Sequence, residues 1–160
     1  MLFRSGDIPH VFATSATWDV PFGAQRAFHG PAFLRPVISD WALAGVLTLQ
    51  SGVPVAVTQS TNNNAFAGFG VQRPNLVADP TLPADQRTVA QWFNTAAFTT
   101  APQFTLGTAS RNPVRGPGYR NLDMALIRRV PVRAGHVLEL RAEGFNLTNA
   151  PAFGAPNGTY

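Results

Sequence analysis

The chain has no cysteine and, of its twelve basic residues, none is lysine; all are arginine. Without thiols there is no disulfide framework, thiolate metal site or cysteine nucleophile, although that absence does not fix a compartment. Charged residues make up only 12% of the 160 residues, about half of the roughly 25% usual in a soluble domain. No stretch reaches the roughly 18 consecutive apolar residues of a membrane-spanning helix. The opening "MLFRSGDIPH" meets Arg4 and Asp7 at once and lacks the apolar centre of a signal peptide. The expectation is therefore that the chain is cytosolic or that Met1 is not the start of the natural gene product.

Chemistry-bearing patterns are also missing. The histidines His10, His29 and His136 have no metal-ligand spacing to one another or to a carboxylate pair. No nucleophile elbow, phosphate-binding loop or dinucleotide fingerprint is present. The expectation is no enzyme and no cofactor. The formal net charge of +4 is spread over single arginines, with only Arg128 and Arg129 adjacent. A nucleic-acid footprint needs a clustered basic face, so no nucleic-acid partner is expected.

What is present is β-like. Hydrophobic residues reach 45%, with 14 glycines, 14 prolines and 12 phenylalanines. The mean hydropathy of +0.01 is what strands with one apolar and one polar face average to. Residues 10–20 alternate: Phe12, Thr14, Ala16, Trp18 and Val20 form the more apolar side, against Ser15, Thr17 and Asp19. Residues 21–37 are broken by proline and glycine.

Residues 41–58 carry Trp41, Leu43, Leu47, Leu49, Val53, Val55 and Val57 on one side, in unbroken phase through Ser51-Gly52. A two-residue hairpin there would put the valines on the opposite face. One strand of roughly 55 Å, bulged or kinked near Gly52 and Pro54, is predicted. Residues 59–120 read as a long irregular connection, with a short helix near Asp85, its cap, and a Pro/Gly turn at "RNPVRGPGYRN". Its Phe66, Phe69, Trp92, Phe93 and Phe98 could grip a ligand or pack the loop on itself.

Two more strands follow. In 121–130, Leu122, Met124 and Leu126 oppose Asp123, Ala125 and Ile127; in 136–146, Leu138, Leu140, Ala142 and Gly144 oppose Glu139, Arg141, Glu143 and Phe145. Pairing Val130 with His136 across "PVRAG" would set Asp123 opposite Glu143, a repulsive pair unless Arg141 bridges it. The charged group Asp123, Glu139, Arg141 and Glu143 reads either as a lumen wall that meets a plug or substrate or, by preference, as a salt-bridged hydrated ladder.

Alternation alone fits two architectures. In a soluble sandwich the apolar side points inward; in an outer-membrane barrel it points to lipid and the polar side lines the lumen. The barrel is favoured by long strands, by the contrast between a five-residue turn and some sixty irregular residues, and by an apolar side nearly free of charge. The one exception, Arg128, lies at the turn end where its side chain could reach the interface. A soluble all-β ligand-binding module with phenylalanine-rich loops stays open as the alternative.

The strings "IPHVFATSATWDVPFG", "WALAGVLTLQSGVPVAV", "QRPNLVADP", "QWFNTAAF", "RNPVRGPGYRNLDMALIRRVPV" and "LELRAEGFNLTNAPAFGAPN" resemble the C-terminal barrel of TonB-dependent outer-membrane receptors. The closest group carries a carboxypeptidase-regulatory-like domain. The resemblance runs from about Asp7 onward and is most specific from Arg111 to Asn157. It implies an all-β, incomplete transmembrane barrel of about four antiparallel strands, with the plug and last strand missing. It implies a bacterial outer-membrane location, with 59–120 as an external loop. The implied partners are the lipid bilayer, the plug and remaining barrel, and TonB through the N-terminal part. The implied role is barrel wall and loop in uptake of an unidentified substrate, with Leu43, Leu47, Leu49, Leu122, Met124, Leu126, Leu138 and Leu140 toward lipid.

Overall fold

The computed structural model describes residues 6–22, 31, 33, 35–63, 68, 70–133 and 135–159. Among the described residues it is all-β, its strands paired antiparallel, with one short helix and isolated 3-10 turns. The chain divides into two compact units.

One unit spans residues 11–50 and 119–152. It holds β1 (Val11–Asp19), a four-residue helix α1 (Arg35–Ile38) in the Pro/Gly-rich connection, and β2 (Trp41–Gln50). It also holds β7 (Tyr119–Pro131) and β8 (Val137–Gly144), and the four strands form one sheet in the order β1-β2-β7-β8. Among the described residues β1 and β8 each keep one edge unpaired, so the sheet is open. The strands form here because period-2 alternation keeps each strand's larger apolar residues on one side of the sheet when the pairs are in register. Leu43 faces Trp18 and Leu126, and Leu47 faces Thr14 and Leu122.

The β7–β8 register corrects the expected one. Val130 pairs with Leu138, not His136, and Ala125 rather than Asp123 lies opposite Glu143. The ladder runs past Pro131, with the Val132 N–H donating to the His136 carbonyl at 2.8 Å, and Gly135 takes φ +81° just before His136. That is a three-residue hairpin with glycine in the left-handed position. Proline is tolerated in β7 because residues two apart point their N–H groups the same way. The Arg129 N–H reaches the Asp40 carbonyl beside β2 at 3.0 Å; residue 131 faces that side beyond the start of β2 at Trp41, where no ladder acceptor waits.

The other unit spans residues 6–10, 51–118 and 153–159. The predicted strand 41–58 is divided here: β2 stops at Gln50, and β3 (Pro54–Val55) pairs instead with β6 (Val114–Arg115). No hairpin forms at Ser51-Gly52. The cause lies at Gly52, where a Cβ would stand 1.8 Å from the Gly116 carbonyl oxygen; only glycine admits that approach. The "RNPVRGPG" segment is correspondingly not a plain turn, since it contains β6. Strands β4 (Asn75–Leu76) and β5 (Phe98–Thr99) form a second small ladder.

The region expected to be irregular therefore has its own core: Val55, Val57, Phe93, Ala97, Phe98, Ala109 and Val114 are buried together, with Leu76 and Trp92 packed against them. The expected helix near Asp85 is two separate 3-10 turns, Ala84–Gln86 and Thr95–Ala97. Asp85 lies inside the first and caps nothing; the capping side chain is Asn94, whose carbonyl oxygen accepts from the Ala96 N–H at 3.1 Å.

Candidate functional site

The sheet of the first unit has two chemically distinct faces, set by register. One carries Phe12, Thr14, Ala16 and Trp18 of β1, then Trp41, Leu43, Gly45, Leu47 and Leu49 of β2. It continues with Arg120, Leu122, Met124, Leu126, Arg128 and Val130 of β7, and Leu138, Leu140, Ala142 and Gly144 of β8. All eight leucine and methionine positions singled out in the sequence lie on it. None is buried by the chain; Leu138 and Leu140 are each about half exposed, and Trp18 is 57% exposed. Because β7 begins at Tyr119, earlier than expected, this face gains a second cation, Arg120.

The other face carries Ser15, Thr17 and Asp19, then Ala42, Ala44, Val46, Thr48 and Gln50, then Asn121, Asp123, Ala125, Ile127 and Arg129, with Glu139, Arg141 and Glu143 on β8. The strand residues that are buried, Ala42, Ala125 and Ile127, are all here. So are the four charged candidates. Bare greasy side chains on one face, with small buried ones and charge on the other, invert the usual arrangement of a soluble sheet.

Those four charged residues do not form one cluster. Arg129 donates to Glu139 at 3.1 Å directly across the ladder. Arg141 pairs with Glu143 two residues along its own strand. Asp123 is held apart: its carboxylate accepts from the Asn146 N–H at 2.8 Å and from the Asn121 side-chain amide at 2.8 Å. The expected Asp123–Glu143 opposition with Arg141 between them does not occur, because the register is offset by two. Ser15, Asp123, Arg141, Glu143 and Phe145 border a hollow of about 270 Å³ on this face.

The residues after β8 explain the "FNLTN" string. Asn146 and Asn149 both take left-handed backbone, φ 48° and 47°, which asparagine tolerates better than most. The Asn146 side chain accepts from the Ala150 N–H and donates to the Ala150 carbonyl, both at 3.0 Å. The Leu147 N–H donates to the Leu122 carbonyl at 2.9 Å. Asp123 is thus an anchor for the chain leaving β8, a role invisible without the register.

Of the loop aromatics, Phe93 and Phe98 are core residues, edge to face at 6.0 Å and nearly inaccessible, which corrects their reading as ligand contacts. Trp92 is half-buried. Its indole N–H donates to the Arg115 carbonyl at 2.8 Å, and the Arg87 guanidinium stands 5.7 Å over its ring. It forms a shared wall of two clefts of about 210 and 340 Å³. Phe66 and Phe69 lie outside the described residues, as does His29. Among the described residues no group of three histidines or carboxylates is placed to hold a metal ion, and no helix is long and apolar enough to cross a membrane.

One arrangement escaped the sequence reading. Arg128 lies opposite Trp41, its guanidinium 5.4 Å over the indole ring. The ring is fixed in turn by its N–H donating to the Val37 carbonyl at 2.7 Å. The only hint in the sequence was a lone cation in an otherwise apolar series.

Comparison with known proteins agrees with the two-faced sheet. A family model described as an outer membrane beta barrel domain matches residues 4–160. No curated protein and no solved structure matches the chain.

Proposed function

The chain belongs to the outer-membrane β-barrel domain family, and on that premise we propose that it supplies barrel wall and an external loop to a TonB-dependent receptor that takes up a substrate from outside the cell. Family membership places it in the bacterial outer membrane and sets the soluble-sandwich alternative aside. The carrying observation is the partition of the sheet: its leucines and methionine share one uncovered face, and its paired charges the other. In a barrel the first face meets hydrocarbon and the second lines a wet interior.

The finer assignment to TonB-dependent receptors rests on the resemblance of the strings between Asp7 and Asn157. It also draws support from loop asymmetry. Residues 51–118 join β2 to β7, whereas three residues turn β7 into β8; long connections lie outside the cell and short ones in the periplasm. The partners in this reading are lipid, the plug and remaining barrel, and TonB acting through an N-terminal part. The chain has no catalytic role, no cofactor and no nucleic-acid partner in it.

Two measurements test this. Depth-dependent quenching of labels at positions 140 and 141, in the reconstituted barrel, should find 140 the more lipid-buried; the reverse would overturn the orientation. Uptake through the intact receptor should stop when TonB is deleted, and uptake that persists would reject the receptor assignment while leaving the barrel intact.

A further inference from the structure

The apolar face contains two cations, Arg120 and Arg128, eight residues apart on β7. That spacing is about 26 Å along a strand, or roughly 20 Å of height at the usual tilt, close to the apolar band of about 25 Å in such barrels. Between them lie Leu122, Met124 and Leu126, so the two arginines bracket the greasy band. The side chain of Arg128 makes no hydrogen bond or ion pair with any described residue, and its Nε is covered with no acceptor in reach. Among the described residues no carboxylate compensates its charge. Meanwhile the guanidinium is backed by the Trp41 ring, itself held by Val37. A guanidinium held against an aromatic plane, with its terminal amines uncommitted, is prepared for a two-point contact with a phosphate.

We infer that Arg128 and Trp41 form a binding site for the phosphate of a glycerophospholipid headgroup. This rests on the outward orientation of the leucine-rich face. The source of the phosphate follows from which end of the sheet is involved. Arg128 and Trp41 lie at the end bearing the 133–135 turn, the periplasmic end in this reading, where the membrane leaflet is built of glycerophospholipids rather than lipid A. One row toward the midplane, Leu43, Leu126 and Ala142 share the face and meet the first methylenes of the acyl chains. Trp18, one row inward, extends the aromatic surface.

The test uses the barrel containing this chain, purified in detergent and titrated with dioleoyl phosphatidylglycerol under native mass spectrometry. Arg128→Gln should weaken binding of the most tightly retained lipid about tenfold, the loss expected for one charge-assisted pair. Arg128→Lys, which keeps the charge and loses the fork, should recover only part of it. Arg120→Gln, with no aromatic backing, should leave it unchanged. Dioleoylglycerol, which lacks the phosphate, should not distinguish Arg128→Gln from the unsubstituted protein. Heat-modifiable electrophoretic mobility establishes that each variant is folded. Equal retention of phosphatidylglycerol with and without Arg128 would overturn the site, as would an equal loss of dioleoylglycerol. Selective retention of lipid A at Arg128 would overturn the leaflet assignment. The quenching comparison at 140 and 141 separates these failures from a wrong orientation of the whole sheet.

Discussion

Met124 lies midway between Arg120 and Arg128 on β7, with Gly45 and Gly144 as its neighbours across the ladders. No carboxylate lies on that face of the sheet. An arginine introduced at this point therefore meets two glycines and hydrocarbon, with no partner and the longest path to the interface. The cost of such a cation near the bilayer midplane is about 2–4 kcal/mol, a factor of roughly 30 to 700 in the folding equilibrium at 1.4 kcal/mol per tenfold. The matched control is Val46→Arg. Val46 lies one residue from Gly45 but on the opposite face, 46% exposed and directly across from Asp123, so the new cation gains a carboxylate and a wet surface and should cost less than about 1 kcal/mol. Both variants are read by urea-titrated folding of the barrel into lipid vesicles, scored by heat-modifiable mobility. Met124→Arg should shift the midpoint strongly and Val46→Arg hardly at all. Equal shifts, or a larger one for Val46→Arg, would refute the assignment of faces.

Three further perturbations address the second unit and the β8 exit. Phe98→Ala removes a ring that is 1% exposed and should destabilise that unit by about 3–5 kcal/mol, seen as faster proteolysis within residues 51–118; unchanged proteolysis would argue against the core described. Gly52→Ala forces a Cβ against the Gly116 carbonyl and should separate β3 from β6, read by amide exchange of Gly116, whose N–H donates to the Val53 carbonyl at 2.8 Å. Asp123→Ala leaves the Asn146 N–H without its acceptor, a loss of about 1–3 kcal/mol that should appear as accelerated exchange at Asn146 with little change at Leu138.

How much of this was legible in the sequence follows from what alternation can carry. The partition of residues between two faces needs only strand period, and Leu43, Leu126 and Leu140 could be grouped without any partner. The second unit was not legible, because its order is non-local. Val55 meets Val114 across a β3–β6 pair nearly sixty residues apart in chain order, and Phe98, Ala109 and Val57 come together with no repeat to announce them. Phase continuity through Ser51-Gly52 ruled out a hairpin but said nothing about a change of partner, which a close backbone approach at Gly52 dictates. The roles of Asp123 and Arg128 were hidden for the same reason, since each depends on what lies across a ladder.

The hairpin register is the point at which sequence and structure part most instructively. An offset of two residues moves every pairing yet leaves each side chain on its own face, because the strand period is two. Apolar patterning therefore cannot discriminate Val130–His136 from Val130–Leu138; the turn decides, and it does so through Gly135 in left-handed backbone and a proline whose missing N–H has no partner to lose. The absence of cysteine makes this directly testable. Ile127 lies across from Arg141; in the alternative register it would face Glu139. Directly opposed Cβ atoms lie about 4.5–5.5 Å apart and diagonal ones about 7–8 Å, while a disulfide needs about 3.5–4.5 Å. Paired Ile127→Cys and Arg141→Cys substitutions should cross-link under mild oxidation in the assembled barrel, and Ile127→Cys with Glu139→Cys should do so much more slowly. Faster closure of the 127–139 pair would mean that the turn spans residues 131–135, that Asp123 faces Glu143 after all, and that the Asn146 anchor on Asp123 is wrong.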